Sequence, residues 1–260
     1  MAFLLNPNQN HLLAALPADE LERLSPHLEP VAMPLGDILY KSANWLQHVY
    51  FPATSIVSLH YAMENGTSAE IAGVGNEGML GIPLFMGTST APSRVFVRTE
   101  GYGYRLKSQL LAEEFNRGGA MQRLLKHYTQ ALITQASQTA ACNRHHSVKQ
   151  QLCRWMLATL DRTLSNELVL THKLVADMLG VSREGVMEAA KKLQQGGLIR
   201  KRRGRITVLD RYGLEDHACE CHGVIKAEFD RLLGKNPDWM RMSGSTMPLP
   251  GVNADICVPA

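Results

Sequence analysis

The chain has 260 residues, 45% apolar and 20% charged, with a formal net charge of +3, the composition of a soluble protein of one large or two ordinary domains. Its apolar runs fall far short of the roughly 18 residues that a membrane-spanning helix needs, and no basic segment leads MAFLLNPNQN, so neither a membrane partner nor a secretory signal is expected. The five cysteines (Cys142, Cys153, Cys219, Cys221 and Cys257) are odd in number and widely spread, which argues against a disulfide scaffold and for a cytoplasmic location.

In chain order, PADELERL predicts a short helix opened by Pro17 and Asp19, with Leu21 and Leu24 on one face. From about Leu28 to Leu106 short β-favouring runs follow one another: VYFPATSIVSLHY, the turn Glu64-Asn65-Gly66, SAEIAGVG, SRVFVRT and GYGYRL. Many short strands with tight turns, Asn65-Gly66 being a strong hairpin signal, predict a β-barrel or roll. Beyond Ser108 the texture becomes helical. Met121, Leu124, Leu125, Tyr128, Leu132 and Gln135 recur at helical spacing, and the stripe turns polar through Ser137, Gln138 and Cys142. That spacing suits a helix packed on its own domain better than a dimer seam beside a ligand pocket, though over so few turns both share it. The polar stretch Asn143 to Ser147, containing His145 and His146, predicts a hinge. A second helix, Val148 to Leu164, follows, with Leu152, Trp155, Met156 and Leu160 on its apolar face.

The small net charge conceals a strong asymmetry. Residues 1–116 hold six Lys/Arg against eleven Asp/Glu, a net of −5, whereas residues 171–211 hold ten against four, a net of +6. Within this basic block, LTHKLVADMLGVSREGVMEAAKKLQQGGLIRKRRGRITVL, Thr171 can cap a short helix whose core side is Leu174, Val175, Met178 and Leu179, ended by Gly180. Ser182 can cap a second helix with Val186, Ala190 and Leu193 inward and Arg183, Glu184, Met187, Glu188 and Lys191 outward. Two short helices about a glycine turn make a helix-turn-helix of the kind that fits a DNA major groove. After Gly196-Gly197, two short strands around Arg203-Gly204 predict a wing whose Lys201, Arg202, Arg203 and Arg205 reach phosphates.

The segments ADMLGVSREGV, AAKKLQQGGLI and RGRITVLD closely resemble the DNA-binding domain of the cyclic AMP receptor protein and Fnr (Crp/Fnr) superfamily of bacterial transcription regulators. GDILY, GNEGMLGIPLFMG and SRVFVRTEG are similar to that family's cyclic-nucleotide-binding-like β-roll, and Gly119 to Asn143 resembles its dimerisation helix. The resemblance implies an α+β chain: a double-stranded β-helix roll acting as sensor (1–116), a long dimerisation helix and hinge (117–146), a winged helix-turn-helix (147–235) and an irregular tail (236–260) rich in Pro237, Pro248, Pro250 and Pro259. It also implies a homodimer on a pseudo-palindromic site of double-stranded DNA, with RNA polymerase as a further partner. Ser182, Arg183 and Glu184 match the serine, arginine and glutamate that open the family's recognition helix; an arginine can pair with guanine O6/N7 and a glutamate can accept from cytosine N4. Glu188 replaces an arginine of the best-known members, which implies a different preferred operator. Thr171, Lys173 and Lys191 complete the expected DNA-binding set.

In the β-roll this chain departs from cyclic AMP binders. Ile82-Pro83 follow Gly81 where a glutamate holds the ribose, and Pro92-Ser93 stand where an Arg-Ser pair holds the cyclic phosphate. An effector other than cyclic AMP is therefore expected, with Glu77, Gly81, Ser93, Arg94 and Ser137 as candidate pocket residues. An iron-sulfur cluster needs about four thiolates, usually near the N-terminus, where this chain has none. Haem would need His48, His60 or His127 as an axial ligand, whereas a lone histidine is more often structural. Cys219 and Cys221 with His217 and His222 invite a metal reading, but HACECH falls in an expected helix, GLEDHACECHGVIKAEFDRLL, in which i and i+2 side chains diverge, so no metal is expected. The alternative is an enzyme, or a small-molecule or haem sensor, whose basic segment binds nucleic acid nonspecifically. The chain shows no Walker loop, dinucleotide fingerprint, nucleophile elbow or zinc-protease motif.

Overall fold

The computed structural model describes residues 6–64, 68–169 and 171–234; the Asn65-Gly66 turn, Leu170 and the expected tail 236–260 lie outside them. Two short helices, α1 (His11–Ala14) and α2 (Ala18–Leu24), lead into the strands β1 (Glu29–Met33), β2 (Ile38–Tyr40), β3 (His48–Pro52), β4 (Ile56–Ala62) and β5 (Ser68–Val74). A helical turn α3 (Ile82–Phe85) precedes β6 (Arg94–Thr99) and β7 (Gly101–Lys107). The strands form two antiparallel sheets, ordered β1-β7-β3 and β2-β6-β4-β5. Val49, Phe51, Tyr104 and Leu106 from the first, and Val57, Val74, Val95 and Val97 from the second, are buried, as the alternation along a half-buried strand requires.

Helix α4 (Ser108–Arg117) joins the roll to the long helix α5 (Ala120–His145). The first backbone N–H groups of α5 have no partner within the helix, and a buried carboxylate from α2 supplies one. Glu20 accepts from the amides of Ala120 at 2.7 Å and Met121 at 2.8 Å, and Gly119 turns into the helix at φ +61°. Met121, Leu124, Leu125, Tyr128 and Gln135 face the roll, so this stripe packs on its own domain. Tyr128 is fully buried; its hydroxyl donates to the Met79 carbonyl at 2.8 Å, and its ring lies where a Cβ at Gly78 would sit, 2.6 Å away. Gly78→Ala is therefore expected to force the ring out of its site and to cost about 1–3 kcal/mol by overpacking, read as a lower urea midpoint. An unchanged midpoint would show that the loop yields freely.

The bend expected over Asn143 to Ser147 is confined to its end: α5 stays helical through His145, and only His146 and Ser147 are extended. Ser147 and Gln150 then form a capping box that starts α6 (Val148–Leu160). This helix is one turn shorter than expected; Asp161 ends it, held by Arg211 at 2.5 Å and His222 at 2.8 Å, and Leu164 is fully exposed. A short strand that the sequence reading did not assign, β8 (Glu167–Val169), precedes α7 (His172–Leu179) and α8 (Arg183–Gln195). The wing strands β9 (Ile199–Arg202) and β10 (Arg205–Val208) complete a three-stranded sheet ordered β8-β10-β9.

The single helix expected over GLEDHACECHGVIKAEFDRLL is two, α9 (Arg211–His217) and α10 (Cys221–Leu233), because they pack on different partners. Leu214 of α9 is buried in the core of the helix-turn-helix domain, whereas Phe229 and Leu233 of α10 pack with the residues of α5 and the roll. The backbone turns between them at Ala218 (φ −77°, ψ 164°). Among the described residues no helix is long and apolar enough to cross a membrane.

Candidate nucleic-acid interface

The Thr171 side chain accepts from the Leu174 amide at 3.1 Å and starts α7; Gly180 ends it in the left-handed region at φ +65°. The Ser182 hydroxyl accepts from the Gly185 amide at 3.1 Å and starts α8. Val175, Met178 and Leu179 from α7 meet Val186, Ala189, Ala190 and Leu193 from α8 in one core with Leu152 and Trp155 of α6. That packing leaves the opposite face of α8 in solvent, where Arg183, Glu184, Met187, Glu188 and Lys191 are all exposed. Glu188 is bonded to Lys192 one turn on, at 2.8 Å, an exposed pair that solvent screens and that adds little to stability.

Beside this face runs a groove of about 560 Å³ lined by Thr171, His172, Lys173, Arg183, Lys201, Arg202, Arg203, Gly204, Arg205 and Ile206. The first turn of α7, the first residue of α8 and the wing thus bring six basic side chains to one concavity. Arg203-Gly204 is the wing turn, with Gly204 at φ +74°. Arg205 differs from its neighbours in holding Glu167 of β8 at 2.7 Å, which offsets part of its charge. The sequence reading did not single out His172; burial together with Lys201 and Arg183 holds its imidazole below its ordinary value.

The candidate pocket residues of the roll are not brought together. Gly81 and Ser93 line a cavity of about 220 Å³ whose other walls include Tyr40, Leu59, Ile82, Pro83, Pro92 and Leu132. Glu77 faces elsewhere and pairs with Arg162 beyond the end of α6 at 2.8 Å. Arg94 is exposed on β6 beside the Phe96 ring, and Ser137 is exposed on α5, since the face bearing Gln135 and Thr139 is the one turned to the protein. Of the histidines weighed as haem ligands, His60 is buried against Phe96, His48 lies on β3 and His127 on α5, so they stand on separate elements.

The roll and α6 meet through a buried ion pair that pattern reading missed. Arg98 of β6 lies 3.0 Å from Glu70 of β5, donates to the Thr159 hydroxyl at 3.2 Å and stacks on the Trp155 ring at 4.7 Å. Burial by itself would raise the Glu70 carboxyl, but Arg98 and the Ser58 hydroxyl hold it below its ordinary value.

Residues 150–217 match the family model of the Crp-like helix-turn-helix domain. Solved structures resemble most of the chain. FixK2 from Bradyrhizobium japonicum is 15% identical with a TM-score of 0.62, over 74% of this chain and 98% of that one. A putative Crp/Fnr-family transcriptional regulator from Eubacterium rectale is 18% identical with a TM-score of 0.60, over 80% and 98%. A CRP-family transcriptional regulator from Thermus thermophilus is 17% identical with a TM-score of 0.60, over 73% and 96%. No curated protein sequence gives a match.

Proposed function

This chain has the fold of the Crp/Fnr superfamily and carries its Crp-like helix-turn-helix domain, and from this we infer a homodimeric transcription regulator that reads a pseudo-palindromic DNA site. The observation that carries the reading is the exposed face of α8 from Arg183 to Lys191 beside a groove of six basic residues. The first turn of α8 enters the major groove, where Arg183 pairs with guanine and Glu184 accepts from cytosine, while Lys173, Lys201, Arg202 and Arg203 hold phosphates on either side. Arg205, already paired with Glu167, adds less. The second copy docks along the outer face of α5, where Ile133 is 61% exposed and Ser137 and Ala140 allow close approach. Double-stranded DNA, a second copy and RNA polymerase are the proposed partners, in the cytoplasm.

An effector other than cyclic AMP suits the roll. The cavity at Gly81 and Ser93 is walled mainly by apolar side chains, and among the described residues no charged group lines it to meet a cyclic phosphate. Arg98, the buried guanidinium on strand β6, is committed to Glu70.

The reading is tested by titrating labelled promoter fragments, a two-fold symmetric site against scrambled DNA, at rising salt. Preference for the symmetric site is expected, and equal binding to both would leave only phosphate attraction and sink the reading. In the same assay Arg203→Ala is expected to weaken all sequences alike and, by removing one phosphate contact from each copy of the dimer, to flatten the log K against log salt slope by about 2. An unchanged slope would remove Arg203 from the interface.

A further inference from the structure

At the junction of α5 with the DNA-binding domain, Cys142, His146, Cys219 and Cys221 converge so that one ligand atom from each lies within 4.8 Å of the others. The three cysteines are buried, and the His146 side chain is only 19% exposed. His146 is the extended residue that ends α5, and its amide donates to the Cys142 carbonyl at 3.0 Å, which holds it one turn beyond that cysteine. Cys219 and Cys221 would diverge in a continuous helix, but the turn at Ala218 between α9 and α10 sends both toward α5. The Cys142 and Cys219 sulfurs are 3.5 Å apart, as are the Cys221 sulfur and His146 Nδ1.

These separations are those of one tetrahedral ion. With Zn–S of about 2.3 Å and Zn–N of about 2.0–2.1 Å, a tetrahedral zinc holds two thiolates about 3.8 Å apart and a thiolate and an imidazole about 3.6 Å apart. An iron-sulfur cluster must fit its own irons and sulfides between its ligands, which four donor atoms within 4.8 Å of one another leave no room for. The surrounding groups orient the donors. Glu220 lies 3.3 Å from His146 Nε2, which leaves Nδ1 facing the sulfurs, and Gln138 donates to the Cys221 sulfur at 3.2 Å. Gln151 donates to the His146 carbonyl at 2.8 Å and fixes the backbone there.

We propose that Cys142, His146, Cys219 and Cys221 bind one structural Zn²⁺ that staples the last turn of α5 to the α9–α10 junction. Three thiols lose their protons to solvent as the ion binds, and the imidazole binds neutral. Four protein ligands close the coordination shell and leave no open position, so the ion acts as a clip and not as a Lewis acid. The clip spans the bend at His146 and Ser147, the one break between the long helix and α6, and thereby sets how the DNA-binding domain is held. Its residues at 219 and 221 lie just past the segment matched by the helix-turn-helix family model.

The test uses the full chain, purified without a metal-affinity tag, and does not depend on DNA binding. Elemental analysis is expected to find one zinc per chain, and Co²⁺ exchanged into the site should show the intense visible bands of tetrahedral cobalt with a thiolate-to-metal charge-transfer band. Cys221→Ser and His146→Ala should each lose most of the zinc. Glu220→Gln, which spares every ligand and the fold, should weaken zinc against a chromophoric chelator by about 10- to 100-fold. Protein that takes up no zinc when it is supplied with thiols reduced would overturn the proposal, as would iron with acid-labile sulfide, or a Cys142–Cys219 disulfide in freshly isolated protein.

Discussion

Arg98→Met is expected to lower the stability of the folded chain by about 3–5 kcal/mol, because it leaves Glu70 as a buried carboxylate with no counter-charge. Arg98 is 4% exposed and binds both oxygens of Glu70 at 3.0 Å, so no solvent is at hand to replace it. The loss has a defined pH dependence. In the wild type the Glu70 carboxyl is held below its ordinary value, so it contributes stability above the unfolded pKa that is lost as pH falls through the folded one. In Arg98→Met the same carboxyl is pushed up by burial, so the deficit is largest near neutral pH and shrinks as pH approaches about 4.3. Urea midpoints at pH 7 and pH 5 read both effects. Adding Glu70→Leu should recover most of the loss, since an apolar pair of similar volume often replaces a buried ion pair at little cost. A single variant within about 0.5 kcal/mol of wild type would show that the pair is not the tie between roll and α6.

Arg183→Ala is expected to leave stability nearly unchanged and to relax discrimination at one base pair in each half-site by about 1–3 kcal/mol. Arg183 is exposed at the first position of α8, ahead of a core formed by Val186, Ala190 and Leu193, so its removal opens no cavity. Its side chain belongs both to the exposed face of the helix and to the basic groove, and the two roles separate by experiment. If Arg183 reads guanine, a panel of operators altered one base pair at a time shows lost preference at a single position per half-site. Equal weakening of every operator would assign it to phosphate and shift base reading to Glu184 and Glu188.

The helix-turn-helix was legible because its instructions are local. Thr171, Gly180 and Ser182 cap and turn within four residues of the groups they bind, and the inward positions of α8 follow the helical repeat. The wing was legible for the same reason, Arg203-Gly204 being a two-residue turn between paired strands. Strand β8 was missed because three residues are too few to show alternation; its pairing with β10 decides it.

The order of elements, the caps, the basic block and the outward face of α8 could be read along the chain, because all are properties of near neighbours. Which distant residues meet follows from how the elements pack. Glu70 and Arg98 lie 28 residues apart, and Cys142 and Cys219 lie 77 apart. Tertiary packing also separated Glu77 and Ser137 from the cavity at Gly81, by turning one toward Arg162 and the other to solvent. The physical reason is the same in each case: periodicity reports which side of a helix or strand is buried, whereas the partner across that buried face is set by how whole elements pack, as α10 shows by folding back on α5 and carrying Cys221 to His146.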